Sequence, residues 1–258
     1  MKKELTAVLA AAMALNVSAI NAEAAEAEEN AENNGFAIEA RYFAPQFNGH
    51  VQTDSLRGAT GSDRVDFKND LGYSNETPTE FILKYNNVSV DWVHLHNKGD
   101  VNRDFELNGN TYRVGSASSV LNIDYIKAKV ENNLLNVGNG KLKWDYGITA
   151  MKFDVSADGT AAGISYSDSE SIWAPLPTVG VKYQVPLAQN LTGSVGISGI
   201  YAGSYGYLYD LEAGLKYTPI SNLSINAGYR DIKLSIEHND DNAGIRLNGP
   251  FVGVQYNF

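Results

Sequence analysis

The chain contains no cysteine. That absence excludes disulfide frameworks, thiolate zinc sites, cysteine nucleophiles and a lipid anchor on an N-terminal cysteine. It is short of positive charge as well: 20 Lys and Arg stand against 30 Asp and Glu, giving a formal net charge of −10 and a pI near 4.8. A nucleic-acid partner is thereby excluded, because phosphate binding wants a basic surface. Long apolar runs are also missing. Mean hydropathy is −0.26, and beyond the N-terminus nothing approaches the roughly 18–20 apolar residues of a membrane-spanning helix. Yet 43% of the 258 residues are hydrophobic, among them 15 Tyr and 9 Phe. Two classes survive: a soluble β protein, or a β-barrel whose strands disperse their apolar content by alternation.

The first residues carry a basic start, Met1-Lys2-Lys3, and an apolar core from Leu5 to Leu15. Small residues follow, with Ala22 the preferred cleavage position. Residues 1–22 are thus expected to be a secretory signal peptide, too short and wrongly flanked for an anchor. Residues 23–34 are Ala, Glu and Asn with little to bury, the composition of a disordered acidic leader.

From Gly35 onward period two dominates. Phe36, Ile38, Ala40 and Tyr42 alternate with Glu39 and Arg41, and Phe81, Leu83 and Tyr85 with Glu80 and Lys84. Val90 and Trp92 oppose Ser89 and Asp91, and Leu121, Ile123 and Tyr125 oppose Asn122 and Asp124. Leu142, Trp144, Tyr146 and Ile148 oppose Lys143 and Asp145, and Val179, Val181 and Tyr183 oppose Lys182. The same phase runs through Val195 and Ile197, then through Tyr209 to Tyr217 against Asp210, Glu212 and Lys216. It continues in Leu223 to Tyr229 with Arg230 on the polar side, and in Val252 to Phe258.

A soluble sandwich alternates too, so further features must decide. Aromatic residues sit at the ends of the apolar faces, as interfacial girdles require. Connections alternate between tight (Asn86-Asn87, Pro186 to Asn190, Thr218 to Asn222, and a longer link from Glu131 to Gly140) and long and polar (Pro45 to Thr79, Asn97 to Ser118, Val155 to Pro175). That is the asymmetry of periplasmic turns and external loops. Tyr256 and Phe258 place aromatics on the terminal strand, as an outer-membrane assembly signal would. The fold expected for residues 35–258 is all-β: a transmembrane antiparallel up-and-down barrel of ten strands, with eight as the alternative.

The polar face nearly cancels in charge. Glu39, Glu80, Asp91, Asp124, Asp145, Asp210 and Glu212 meet Arg41, Lys84, Lys143, Lys182, Lys216 and Arg230. In so narrow a barrel side chains can largely fill the interior. Charges shielded from water pair, because an unpaired ion there is costly. The expectation is a lumen plugged by ion pairs, with a narrow solute path as the alternative.

Chemistry-bearing motifs are sparse. Of 4 His, His94 and His96 follow Asp91 near an outer strand end and His238 precedes Asp240 and Asp241, so a rim-located hydrolase is the third reading. His94-x-His96 lacks a third metal ligand, Ser89 and Ser118 lack a nucleophile motif, and the run from Glu237 to Asp241 lacks calcium-loop spacing. No catalytic residue, metal or cofactor is expected.

The stretch from Val65 to Tyr73, V-D-F-K-N-D-L-G-Y, resembles a D-L-K-D-D-L-G-L segment in the first external loop of a family of small, functionally uncharacterised bacterial outer-membrane barrels. Ala174-Pro175-Leu176-Pro177, Ala227-Gly228-Tyr229-Arg230 and Asn248-Gly249-Pro250-Phe251-Val252-Gly253 are similar to later pieces of it. Asn69 and Asn248 depart from Asp. The resemblance implies an integral outer-membrane barrel without cofactor, and it brings no catalytic residues. Likeness to OmpA- and OmpW-type barrels is at the level of fold. Expected partners are outer-membrane lipid, lipopolysaccharide and the barrel-assembly machinery; the expected state is a monomer.

Overall fold

The computed structural model describes residues 35–52, 56–58, 64–74, 77–107, 110–113, 117–161, 164–238 and 241–258. The expected signal peptide and leader lie outside them. In chain order the strands are β1 (Phe36–Phe43), β2 (Gln46–Gln52), β3 (Leu56–Gly58), β4 (Arg64–Asp66), β5 (Thr79–Tyr85), β6 (Val88–Asp100), β7 (Phe105–Leu107) and β8 (Asn110–Tyr112). There follow β9 (Ala117–Val137), β10 (Gly140–Ala161), β11 (Ile164–Ala188), β12 (Leu191–Tyr201), β13 (Gly206–Ile220), β14 (Leu223–His238) and β15 (Asp241–Asn257). No described helix is long and apolar enough to cross a membrane.

Ten strands, β1, β5, β6 and β9 to β15, pair antiparallel with their neighbours in chain order, and β1 pairs with β15 to close the ring. Closure removes the exposed sheet edges that hydrocarbon could not satisfy. The ring has ten strands, not eight. β2 continues the line of β1 along β15: Phe43 lies opposite Phe251 and Gln46 opposite Asn248. Between them Ala44-Pro45 faces Gly249-Pro250, where two prolines deprive the ladder of donors and interrupt it. A small separate sheet joins β3, β7 and β8.

One end has two-residue turns at Asn86-Asn87, Gly138-Asn139, Gln189-Asn190 and Ser221-Asn222, and both ends of the barrel segment. Asn86, Gly138 and Asn190 take positive φ (54°, 58° and 65°), the conformation such turns demand and those residue types tolerate. This is the periplasmic end. Two expected loops are strand instead, one at each end. At the periplasmic end the link from Glu131 to Gly140 is β9 up to Val137, and at the other end the stretch from Val155 to Pro175 is the tall β10–β11 hairpin. β11 meets β12 only from Val179 onward. Pro175 and Pro177 therefore lie where that edge has no described partner strand, the place a donorless residue is tolerated.

Within the lower part of the wall the apolar face looks outward: Ile38, Leu83, Val90, Ile148, Val181, Val195, Leu211 and Val254 are exposed. Glu39, Glu80, Asp91, Asp210 and Arg230 are buried inside. Higher up the faces exchange roles. Val93, Leu95, Leu121, Ile123, Tyr125, Leu208, Ile232 and Leu247 point inward into an apolar core, while His94, His96, Asn122, Asp124 and Arg246 look out. This corrects the expected phase of β9, whose Leu121, Ile123 and Tyr125 are interior. In β14 the outward apolar positions run from Leu223 to Tyr229 before Asp231 ends them. At ~3.4 Å per residue and a tilt of ~40°, a strand segment of this length makes a band roughly 16 Å tall, the greater part of the hydrocarbon belt of known barrels.

Candidate functional site

The alternation of β1, β5, β6, β13 and β14 brings their ionic side chains to one level inside the ring. Arg230, 2% exposed, is the hub. Its Nη2 meets Asp91 Oδ2 at 2.7 Å and Asp210 Oδ2 at 2.8 Å, its Nε meets Asp210 Oδ1 at 2.9 Å, and Nη1 bonds Glu80. Its guanidinium lies over the Tyr125 ring, with Cζ 5.2 Å from the centroid. Arg41 is the second hub: Nε to Glu39 Oε1 at 2.6 Å, Nη1 to Glu212 Oε2 at 2.8 Å and to Glu80 at 3.4 Å, over the Phe251 ring. A Cβ on Gly253 would come within 2.6 Å of Arg41 Cγ, so a small residue there makes room for the guanidinium.

Lysines complete the layer. Lys84 reaches Glu39 and Gln255, both at 2.7 Å, and Asn226 donates to Glu39 at 2.6 Å. Lys127 bonds Asp210 at 2.8 Å and Ser198, and the Tyr125 hydroxyl donates to the same carboxylate. Nearer the periplasmic end Lys129 and Lys143 flank Glu131 at 3.1 and 3.3 Å, with Asp145 3.8 Å from Lys129. Lys182 and Lys216 also lie on this inner face, with Lys182 across Gly196.

Of the residues expected in the lumen, Asp124 is elsewhere. It sits outside, where Oδ1 accepts from Trp92 Nε1 at 3.2 Å and pairs with His94 Nδ1 at 2.8 Å. The reason is the face exchange: above the membrane the outward positions become the polar ones. Lys127, Lys129 and Glu131 also belong to the network, beyond the expected set. Their signal was present, because Ile126-Lys127-Ala128-Lys129-Val130-Glu131 alternates apolar and charged as cleanly as any stretch of the chain.

Above the ionic layer the ring is filled by apolar side chains, and part of the filling comes from the segment with the family-like motif. Asp66 Oδ1 accepts from the backbone N–H of Lys68 and Asn69 at 3.0 and 2.8 Å, an Asx turn. Asp70 accepts from Asp66 N at 2.8 Å and pairs with Arg103 at 3.0 Å. The turn thus fixed sends Phe67, Leu71 and Tyr73 into the core beside Phe43, Phe47 and Val93. Burial pushes the Tyr73 phenol up to about 12.

Candidate catalytic groups do not converge. His94 has its carboxylate, but the pair stands on the convex outer wall with the His side chain 44% exposed. His96 meets Asn122 at 2.6 Å and His50 meets Asn242 at 2.8 Å. The side chains of His238 and Asp241, and all of Asp240, lie outside the described residues. No group of three or more His, Asp or Glu among the described residues could hold a metal.

Among solved structures, the outer membrane protease OmpT from Escherichia coli is similar at TM-score 0.50 and 10% identity, over 90% of this chain and 99% of that one. The translocator domain of the autotransporter NalP from Neisseria meningitidis is similar at TM-score 0.40 and 11% identity, over 87% and 89%. At 10% identity the likeness to OmpT is one of fold alone. No curated protein sequence matches the chain. The profile of the YfaZ precursor family matches residues 83–258, well over half of the chain, although not the Val65–Tyr73 motif. The chain belongs to the YfaZ precursor family and is an outer-membrane β-barrel protein exported with a cleaved signal peptide.

Proposed function

We propose that this protein is a closed, non-enzymatic outer-membrane barrel that serves the envelope or its surface contacts through the part standing above the membrane. One observation carries the reading: the interior is occupied at two successive levels, by the Arg41–Arg230 ionic network and then by the apolar core around Tyr125, Phe47 and Phe67. A solute would have to break multidentate charge-assisted hydrogen bonds and then part a packed core. Neither barrier is small, since each buried ion deprived of its partner costs several kcal/mol. Arg230 and Glu80 at the centre of the network are 2% and 0% exposed, while Lys84 and Glu212 at its margin are 34% and 28% exposed.

The partners this reading implies are outer-membrane lipid, lipopolysaccharide and the assembly machinery, the last recognising the terminal strand. There Tyr256 and Phe258 meet edge to face with centroids 4.9 Å apart, and the Phe258 ring lies 5.5 Å from that of Phe36. The test is planar-bilayer conductance of the purified protein. A silent bilayer is expected; stepwise currents would return the narrow-pore reading to first place. The His94–Asp124 pair is the one feature favouring a hydrolase, and the absence of any opposing catalytic group among the described residues on that convex wall weighs against it.

A further inference from the structure

We propose that Lys233 and Arg246 form a binding site for the phosphorylated headgroup of the outer-leaflet glycolipid, the lipid A phosphates of lipopolysaccharide. The site deepens the envelope role proposed above and rests on it.

The first support is height. On β14 the outward series Ile225, Ala227, Tyr229 gives way to Asp231 and Lys233; on β15 the series Val254, Val252, Pro250 gives way to Asn248 and Arg246. Lys233 is four residues beyond the Tyr229 girdle. At ~3.4 Å per residue and ~40° tilt that is roughly 10 Å above it, which is headgroup rather than hydrocarbon depth.

The second support is a charge arrangement that the barrel alone leaves unresolved. Lys233 and Arg246 are directly opposite each other on neighbouring strands, and like charges in that position destabilise a sheet. Asp231 answers one of them: its carboxylate takes Arg246 Nε at 2.9 Å and Nη2 at 2.7 Å. Arg246 Nη1 is unused by that carboxylate. The described contact of Lys233 is the face of Tyr207, 5.1 Å from the ring centroid. The pair is therefore one negative charge short of balance, and an anion seated between Nζ and Nη1 supplies it.

The third support is the surroundings. Tyr207 and Tyr209 stack with centroids 6.1 Å apart and planes 1° from parallel. They form an amphipathic wall of the kind that sits at membrane interfaces. Asn48 is the other cross-strand neighbour of Arg246. The opposite wall at this height differs. There Lys152 pairs with Asp154 at 2.6 Å and Asp124 lies 2.8 Å from His94, so two carboxylates stand beside that one lysine. The surface is polarised toward β13–β15.

The test uses the full-length processed protein in phosphatidylcholine nanodiscs, titrated with diphosphoryl lipid A or with lipid A stripped of phosphate. Retained lipid is counted by native mass spectrometry, and folding is verified by the mobility shift of unheated samples. Wild-type protein is expected to prefer the diphosphoryl form. Lys233→Gln should weaken that binding roughly fivefold, as loss of one basic residue at an anionic surface implies. Lys152→Gln on the opposite wall should leave it unchanged. Asp231→Asn should strengthen it, because the competing carboxylate is gone. Equal binding of the two lipid forms, an unaffected Lys233→Gln, or a weakened Asp231→Asn overturns the proposal. So does displacement of lipid A by millimolar inorganic phosphate, which would assign the site to the free ion. Conductance is an independent readout: lost lipid preference in a silent barrel sinks this site alone, whereas currents with preference intact sink the closed-lumen reading alone.

Discussion

Replacing Arg230 by Met keeps most of the side chain's volume and removes the charge that three carboxylates share. The consequences differ among them. Asp210 retains Lys127 at 2.8 Å and the Tyr125 hydroxyl, and Glu80 retains Arg41 at 3.4 Å. Asp91 pairs with Arg230 alone among the described residues, and its Oδ1 accepts no hydrogen bond there. Breaking a buried ionic cluster by deleting one partner typically costs about 3–5 kcal/mol. That is a large share of the ~5–15 kcal/mol that holds a domain folded. Urea unfolding in lipid vesicles, followed by the mobility shift of unheated samples, should report a fall of this size for Arg230→Met. Arg230→Lys should fall between, because it restores charge without the fork. Adding Asp91→Asn to Arg230→Met should recover ~1–3 kcal/mol, since the stranded charge is the main source of the loss. A shift below ~0.5 kcal/mol for Arg230→Met, or no recovery in the double variant, would refute the idea that ion pairing holds the interior together.

Two further perturbations address the upper core. A Cβ on Gly99 would come within 2.1 Å of Leu71 O and 2.8 Å of Tyr73 N, so Gly99→Val should push the Asp66–Tyr73 turn off the wall at a cost of ~1–3 kcal/mol. Protease should then cut this turn while the membrane-embedded ring keeps its mobility shift; an uncut turn would count against the plug. For Tyr73, the phenol is raised from 10.0 to about 12 by burial. The folded state holds its proton more tightly, so the contribution is intact below pH 10 and is lost as pH rises toward 12. Two units correspond to ~2–3 kcal/mol. The difference between the ultraviolet titrations of wild type and Tyr73→Phe should show one phenol with a midpoint near 12, and a midpoint near 10 would contradict its burial.

The barrel was legible because hydrocarbon imposes a strict alternation, and the ten segments carry it. What escaped was the point at which the solvent outside changes. A single phase extended through Leu121, Ile123 and Tyr125 put those residues in lipid and Asp124 in the lumen, although the phase shifts between Tyr125 and Ile126. The shift has a visible mark: two adjacent apolar residues, one for each side of the wall, where the inner face turns apolar. Tyr42-Phe43, Trp92-Val93, Tyr125-Ile126, Ala150-Met151, Leu208-Tyr209 and Phe251-Val252 all sit at this level. The Val65–Tyr73 stretch carries a family resemblance in its sequence, but its inward tuck is not legible there. That tuck depends on Asp66 and Asp70 closing backbone hydrogen bonds and on the fit against Gly99, neither of which periodicity encodes. The Lys233–Arg246 opposition was equally hidden, since it is a matter of cross-strand register.

The two fillings of the lumen follow from what surrounds the wall at each height. Where the outside is hydrocarbon, turning a Leu inward gains nothing, because lipid tails solvate it equally well. Cohesion across the ring must then come from hydrogen bonds and ion pairs, and the low dielectric that makes them strong also makes each unpaired charge expensive. Above the membrane the outside is water, and burying apolar area contributes its usual ~25 cal/mol per Å². There an ionic interior would forfeit that gain while the polar groups could be solvated outside at no loss. The chain accordingly puts Arg41 and Arg230 where lipid lies behind the wall, and Phe47, Leu121 and Ile232 where water does. Exchanging a residue across this boundary should cost in both directions: Leu121→Arg would bury a charge without a carboxylate to meet it, and Arg230→Leu would leave Asp91 stranded while gaining no hydrophobic free energy.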